Sequence, residues 1–165
     1  MEPSNLLGFI NEVKNALGNN IFVSDNEVSA FSRDWWSLLI LRELRGSVIE
    51  KPPVVIRPSN MDELGTIIRL ANKYGICLVP FGGGSSVVGG SYHSGCVVID
   101  MGKLNKIIDF NEEDLIITVE AGAKVINVEK WLNERGYTLD FHPQSFNLLT
   151  VGGAIGHGST GSHSA

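Results

Sequence analysis

A glycine-rich stretch at residues 82–90 is the feature of this chain whose composition most directly suggests chemistry. It holds five glycines in nine positions, together with Ser85 and Ser86. Glycine tolerates positive φ and places no Cβ between ligand and main chain, so consecutive amides can converge on one charged group. The stretch is therefore predicted to bind an anion such as a phosphate or a pyrophosphate.

Two familiar nucleotide loops do not fit this stretch. A Walker A loop needs a lysine that reaches the terminal phosphates, and no lysine lies between Lys73 and Lys103. A Rossmann fingerprint needs a third glycine and a long helix after the loop. Val87 stands at the place of that glycine, and residues 89–95 offer no helical pattern.

A second glycine-rich segment lies at residues 150–163, where the sequence predicts a loop with no helix or strand after it. Four histidines are candidate metal ligands, but no two of them have the i, i+4 spacing of a zinc site on a helix. No metal site is predicted. The four are His93, His142, His157 and His163.

Composition narrows the class of protein. The chain has 165 residues, of which 43% are hydrophobic and 19% charged, which is typical of a folded globular domain. The net charge of -5 argues against a nucleic-acid surface and against a polybasic membrane contact. No membrane span or signal peptide is predicted, and a cytoplasmic protein is expected.

The two cysteines lie in apolar, strand-like stretches. We expect Cys77 and Cys96 to be two small buried hydrophobic residues rather than a disulfide or a metal pair. The adjacent Trp35 and Trp36 are expected to be core residues or part of a packing surface.

The elements around the glycine stretch follow from hydrophobic spacing and from breakers. Residues 4–17 predict an amphipathic helix that ends at Gly18, and Pro52 and Pro53 mark the change to alternating strands and helices. Strand, helix and strand then lead into the glycine stretch, as in a βαβ unit. Strands are predicted at 54–57, 76–79, 96–100, 107–110, 115–120 and 137–140, and helices after Ser24, after Ser59 and from Val125 to Gly136.

Several segments together resemble the vanillyl-alcohol oxidase and p-cresol methylhydroxylase class of FAD-binding domains. The letters PFGGGSS at 80–86 resemble its pyrophosphate loop, and TVGG at 150–153 with PQS at 143–145 resembles its second flavin loop. Three further landmarks are similar in the same order: PSNMDEL at 58–64, VVIDM at 97–101 with LNKI at 104–107, and VEAG at 119–122. The branches that are most similar are alkyl-dihydroxyacetonephosphate synthase and the glycolate oxidase and D-lactate dehydrogenase group, and both stay open.

This resemblance implies an α+β, PCMH-type FAD-binding domain. N-terminal helices at residues 1–50 would precede a domain at 51–165, which has a βαβ subdomain and a second small mixed sheet and is incomplete at its C-terminus. Non-covalent FAD is expected, because Ser85 and Ser86 stand where some members carry a flavin-linked histidine. His142 is a further candidate for the flavin pocket. The implied cofactor-binding residues are Pro80, Phe81, Gly82, Gly83, Gly84, Ser85, Ser86, Pro143, Gln144, Ser145, Thr150, Gly152, Gly153, Gly156, His157, Gly158 and Ser159.

The resemblance assigns no catalytic residue to this chain, because family members place those in a later substrate domain. One hypothesis is that the chain is the FAD-binding part of a flavoenzyme, either an FAD-linked oxidoreductase or an alkyl-dihydroxyacetonephosphate synthase, completed by a second polypeptide or fragment. A second is a free-standing flavin- or nucleotide-binding module without catalysis. A third is an assembly subunit that uses Trp35 and Trp36 as its contact.

Overall fold

A computed structural model describes residues 2–163 of the chain. The helices are α1 (Pro3–Leu17), α2 (Asp25–Val28), α3 (Ser37–Leu44), α4 (Met61–Tyr74), α5 (Val125–Asn133) and α6 (Val151–His157), with 3-10 turns at Asn19–Ile21 and Ser29–Phe31. The strands are β1 (Val55–Ile56), β2 (Leu78–Phe81), β3 (Val97–Asp100), β4 (Ile107–Asn111) and β5 (Ile116–Val119). No helix within these residues is long and apolar enough to cross a membrane.

A parallel sheet with strand order β1-β3-β2 supports the glycine stretch. All four residues of β3 are buried, as expected for a central parallel strand with both faces covered. Helices α1 and α4 pack on one face through Phe9, Val13 and Ile67. The other face is covered by the segment around α2, through Val28 and Phe31.

The second sheet is the hairpin of β4 and β5, whose two strands are antiparallel. Helix α5 packs against it, with Val128 and Leu132 facing the partly buried Phe110 and Ile117. The predicted order, N-terminal helices, then a βαβ unit and then a second small sheet, is confirmed. The predicted strand at 137–140 does not form, and the Leu139 amide donates to the Glu129 carboxylate at 2.8 Å instead of to a neighbouring strand.

Helix α4 begins and ends where local chemistry dictates. The Asn60 side chain accepts a hydrogen bond from the Glu63 amide at 2.9 Å, and the Glu63 carboxylate accepts from the Ser59 amide at 2.7 Å. Gly75 ends the helix in the left-handed conformation with φ 62°. The cap is Asn60 rather than the predicted Ser59, so the boundary moves by one residue.

The prediction of two unpaired cysteines is wrong, because Cys77 and Cys96 form a disulfide with their Cα atoms 5.0 Å apart. Cys77 directly precedes β2 and Cys96 directly precedes β3, and Leu78 pairs with Val97 in these parallel strands. Cys77 is exposed and Cys96 half-buried. The apolar context of each cysteine could not reveal that the two strand starts are neighbours. The bond closes a covalent loop that contains the whole glycine stretch.

Replacing both cysteines by serine is expected to lower the free energy of unfolding by about 3 kcal/mol, because the bond restricts the unfolded chain across a separation of 19 residues. Urea unfolding with and without dithiothreitol measures this. The wild-type midpoint should fall on reduction to that of the double variant, which itself should not respond. A wild-type midpoint that reductant leaves unchanged would contradict the prediction.

Candidate functional site

The glycine stretch follows directly after β2, at the carboxyl edge of the parallel sheet. This edge is where open α/β sheets form ligand crevices. Residue Phe81 ends β2, is 7% exposed and packs edge-on against Phe31 at 4.9 Å between ring centroids. It therefore anchors the start of the loop in the core.

Six consecutive backbone amides of the loop are available as donors. Among the hydrogen bonds formed within residues 2–163, none uses the N–H groups of residues 82–87. Two later amides are engaged, since those of Val88 and Gly90 donate to Ser86 Oγ at 3.3 and 3.0 Å. Unpaired amides in a half-buried loop need an acceptor, and a phosphate group supplies several. This part of the loop fits the predicted anion cradle.

The first two glycines of the loop let it touch the second glycine-rich segment. A Cβ at Gly82 would lie 2.3 Å from Thr150 Oγ1, and one at Gly83 would lie 1.9 Å from the carbonyl oxygen of Leu148. Neither distance is possible for a side chain. The absence of a Cβ at Gly82 and Gly83 therefore lets the two segments close on one another.

The second segment is a short helix, α6, and not the loop that the sequence predicts. Thr150 caps its start by accepting a hydrogen bond from the Gly153 amide at 3.2 Å, and Gly158 ends it with φ 56°. Backbone bonds hold its first turn, from the Val151 amide to the Ala123 carbonyl and from the Gly152 amide to the Ala121 carbonyl, both at 2.8 Å. Capping and tertiary pairing thus overcome the poor helix propensity of glycine.

A cavity of about 1140 Å³ opens between the two segments. All the predicted cofactor-binding residues line it except Phe81, which is in the core, and Gly158, which ends α6 and faces a neighbouring apolar groove. His142 also lines the cavity. The predicted residues that line it are Pro80, Gly82, Gly83, Gly84, Ser85, Ser86, Pro143, Gln144, Ser145, Thr150, Gly152, Gly153, Gly156, His157 and Ser159.

Among the described residues, the cavity wall includes neither lysine nor arginine. An anion bound there would be held by neutral donors, namely the free amides of residues 82–86 and the hydroxyls of Ser85 and Ser86. Such donors form charge-assisted hydrogen bonds with phosphate oxygens. The acidic net charge of the chain is therefore compatible with anion binding at this site.

Some cavity residues were not predicted from the sequence. Trp35 is 57% exposed and lines the cavity beside Val87 and Val88, which are 65% and 68% exposed. Of the two expectations for Trp35, a core position is wrong, and a place in a packing surface stays a prediction; its neighbour Trp36 is partly buried. The apolar pair that follows Ser86 in the loop was the available signal for this part of the wall.

The histidines occupy different environments. His93 is 1% exposed, with Nε2 2.9 Å from the Glu50 carbonyl oxygen and Nδ1 accepting from the Gly95 amide at 3.0 Å, so it is a structural residue. His142 and His163 are exposed and lie with Asp140, their potential ligand atoms within 4.8 Å of one another. His163 Nδ1 is already 2.5 Å from Asp140 Oδ1. That the chain binds no metal remains a prediction.

Comparison with known proteins places this geometry in a family. The family described as "FAD binding domain" matches residues 52–165. The alkyldihydroxyacetonephosphate synthase of Dictyostelium discoideum is 30% identical over 76% of this chain. The protein of Kluyveromyces lactis named D-lactate dehydrogenase (cytochrome), mitochondrial, is also 30% identical, over 80% of this chain. The matched parts are 21% and 23% of those two proteins.

Solved structures give the same result for the fold. A structure of alkyldihydroxyacetonephosphate synthase superposes with a TM-score of 0.85 at 26% identity, covering 94% of this chain and 32% of that one. p-Cresol methylhydroxylase superposes with a TM-score of 0.70 at 14% identity, over 96% of this chain and 30% of that one, which shows the fold alone. The resemblance and the fold class inferred from the sequence are confirmed.

Proposed function

The chain belongs to the FAD-binding domain family, and from that premise we propose that its cavity binds FAD non-covalently, with the pyrophosphate against residues 82–86. The observation that supports this most strongly is the run of free amides in that loop. The absence of a Cβ at Gly82 and Gly83 lets Thr150 and the Leu148 carbonyl group lie directly against the loop, which forms one wall of the cavity. The proposed cofactor-binding residues are the predicted ones that line the cavity, together with Trp35, His142 and Val87.

FAD would supply the redox chemistry of an FAD-linked oxidoreductase, or the flavin of an alkyldihydroxyacetonephosphate synthase. The residues of this chain would bind the cofactor, orient it and exclude water from one side of it. No described residue is assigned a catalytic role. The chain spans between a fifth and a quarter of the length of the curated relatives it matches, so the activity proposed is that of the larger enzyme of which this is the cofactor-binding part.

A second polypeptide or a further segment is proposed to complete that enzyme. The support is an apolar groove of about 390 Å³ between the β4–β5 hairpin, α5 and α6, which includes Ile117, Val128 and Ile155. Ile155 is 77% exposed. A surface of this kind is typical of a contact with another protein element.

Two further expectations remain proposals, a cytoplasmic location and the division of the chain at residue 50. Helix α1 lies before that division and shares one hydrophobic core with α4, which lies after it.

Non-covalent binding predicts that acid releases the flavin. Purified protein loaded with FAD should show flavin absorbance, and trichloroacetic acid should leave a colourless pellet and a yellow supernatant. The reason is that loop positions 85 and 86 hold serines where some family members carry a flavin-linked histidine. A yellow pellet would contradict non-covalent binding. The same spectrum separates this proposal from an assembly subunit, which would bind no flavin at all.

A further inference from the structure

The segment at residues 33–36 lies outside the family match and yet packs directly beneath the second half of the glycine loop. The Trp35 amide donates to the Ser86 carbonyl oxygen at 2.9 Å. The Trp36 ring covers Gly89, where a Cβ would lie 2.8 Å from a ring carbon. This short segment therefore touches the loop at both Ser86 and Gly89.

Asp34 makes the most buried of these connections. It is 2% exposed, and its two carboxylate oxygens have different partners. Oδ1 accepts from the Trp36 amide at 3.0 Å, and Oδ2 accepts from the Ser91 amide at 3.3 Å. The nearest cation in sequence, Arg33, pairs instead with Glu43 at 3.1 Å. A buried carboxylate whose partners are backbone amides fixes those amides through charge-assisted bonds.

The contacts engage three amides in the second half of the loop. Those of Val88 and Gly90 donate to Ser86 Oγ, and that of Ser91 donates to Asp34. The amides of residues 82–86 stay free within the described part of the chain. Ser86 lies between the free amides and the bonded ones, and its carbonyl oxygen accepts from the Trp35 amide. The position of the free amides therefore depends on how firmly residues 88–91 are held.

We propose that Asp34 is a positioning residue for phosphate binding: it fixes the Ser91 end of the loop so that the free amides converge on one anion. The inference rests on the proposed FAD function. Asp34 would act only through the loop, by removing the freedom of the loop before the ligand arrives. A loop released at Ser91 would have to be ordered again by the ligand, at the expense of affinity.

The test compares D34N and D34A with D109N, a control that changes an exposed aspartate whose carboxylate has no hydrogen bond or ion pair among the described residues. The asparagine of D34N retains an acceptor for Trp36 but presents a donor to Ser91, and alanine loses both bonds. Fluorescence titration should give an FAD dissociation constant raised about tenfold in D34N and more in D34A, and unchanged in D109N.

Amide hydrogen exchange without ligand distinguishes a local effect on the loop from a general loss of stability. Exchange in D34N should accelerate in peptides covering residues 88–91, where the amides of Val88, Gly90 and Ser91 are bonded, and stay at the wild-type rate in the rest of the chain. G89A should also raise the FAD dissociation constant and accelerate exchange in the loop, because Gly89 has φ 81° and an added methyl group would collide with the Trp36 ring. It replaces D34A in the comparison if D34A does not fold. D34N with wild-type affinity, or with weaker affinity and exchange accelerated throughout the chain, would overturn the inference. A folded wild type that binds no FAD would instead contradict the proposed function itself, and this is measured first.

Discussion

G83A is expected to lower FAD affinity about tenfold and to destabilise the fold. The added Cβ would lie 1.9 Å from the Leu148 carbonyl oxygen, and the second close atom is the carbonyl carbon of the same residue at 2.6 Å. Both are backbone atoms, so no side-chain rotation relieves the contact and the two segments must move apart. Overpacking of this kind costs about 1–3 kcal/mol. If the bound state bears that cost, affinity falls by about a factor of ten for every 1.4 kcal/mol.

The matched control for this prediction is G65A. Gly65 lies in α4, and its Cβ would meet only the end of the flexible Arg69 side chain at 3.4 Å. Alanine also favours a helix over glycine by about 1 kcal/mol. G65A should therefore leave FAD affinity unchanged and raise the melting temperature slightly. Equal FAD affinity in G83A and wild type would mean that closure of the two segments does not form the site.

S86A is expected to weaken FAD binding about 100-fold, because one hydroxyl has two roles in the loop. Its oxygen accepts from the amides of Val88 and Gly90 at 3.3 and 3.0 Å, which fixes the loop. Its proton is available to a phosphate oxygen. Losing a hydrogen bond to a charged group costs about 1.5–3 kcal/mol, and losing the two internal bonds adds to that.

S85A provides the graded comparison for S86A. The Ser85 hydroxyl has no partner among the described residues and lines the cavity, so its removal costs only the donor to the ligand. Its effect on the FAD dissociation constant should be about tenfold, smaller than that of S86A. Equilibrium titration by quenching of flavin fluorescence measures both. If S86A affects binding no more than S85A does, the loop is not organised by the Ser86 oxygen.

Local signals in the sequence were sufficient for much of the fold. Glycines and prolines marked the element boundaries, and hydrophobic spacing identified α1, α4 and α5 to within a few residues. Short-range chemistry decides these features, as when Asn60 caps α4 and Gly75 ends it. The glycine loop also stood out because its composition departs so far from that of ordinary turns.

Features that depend on distant neighbours were missed or wrong. The pairing of Cys77 with Cys96 depends on which strands are adjacent, and α6 forms because Thr150 and the backbone of Ala121 and Ala123 satisfy its first turn. Trp35 was expected in the core or in a packing surface, and its place on the cavity wall was not anticipated. The contribution of Asp34 has no local signal, since Ser91 lies 57 positions further along the chain.

Direct titration of the folded 165-residue chain with FAD tests whether the glycine loop binds the cofactor through its pyrophosphate. We expect saturable binding of one FAD per chain, seen by calorimetry and by flavin fluorescence, with inorganic pyrophosphate competing because it occupies the same amides. We also expect weaker binding of riboflavin, which lacks phosphate. A chain that is folded by circular dichroism and binds neither FAD nor pyrophosphate, or that binds riboflavin as tightly as FAD, would show that the loop is not the cofactor site.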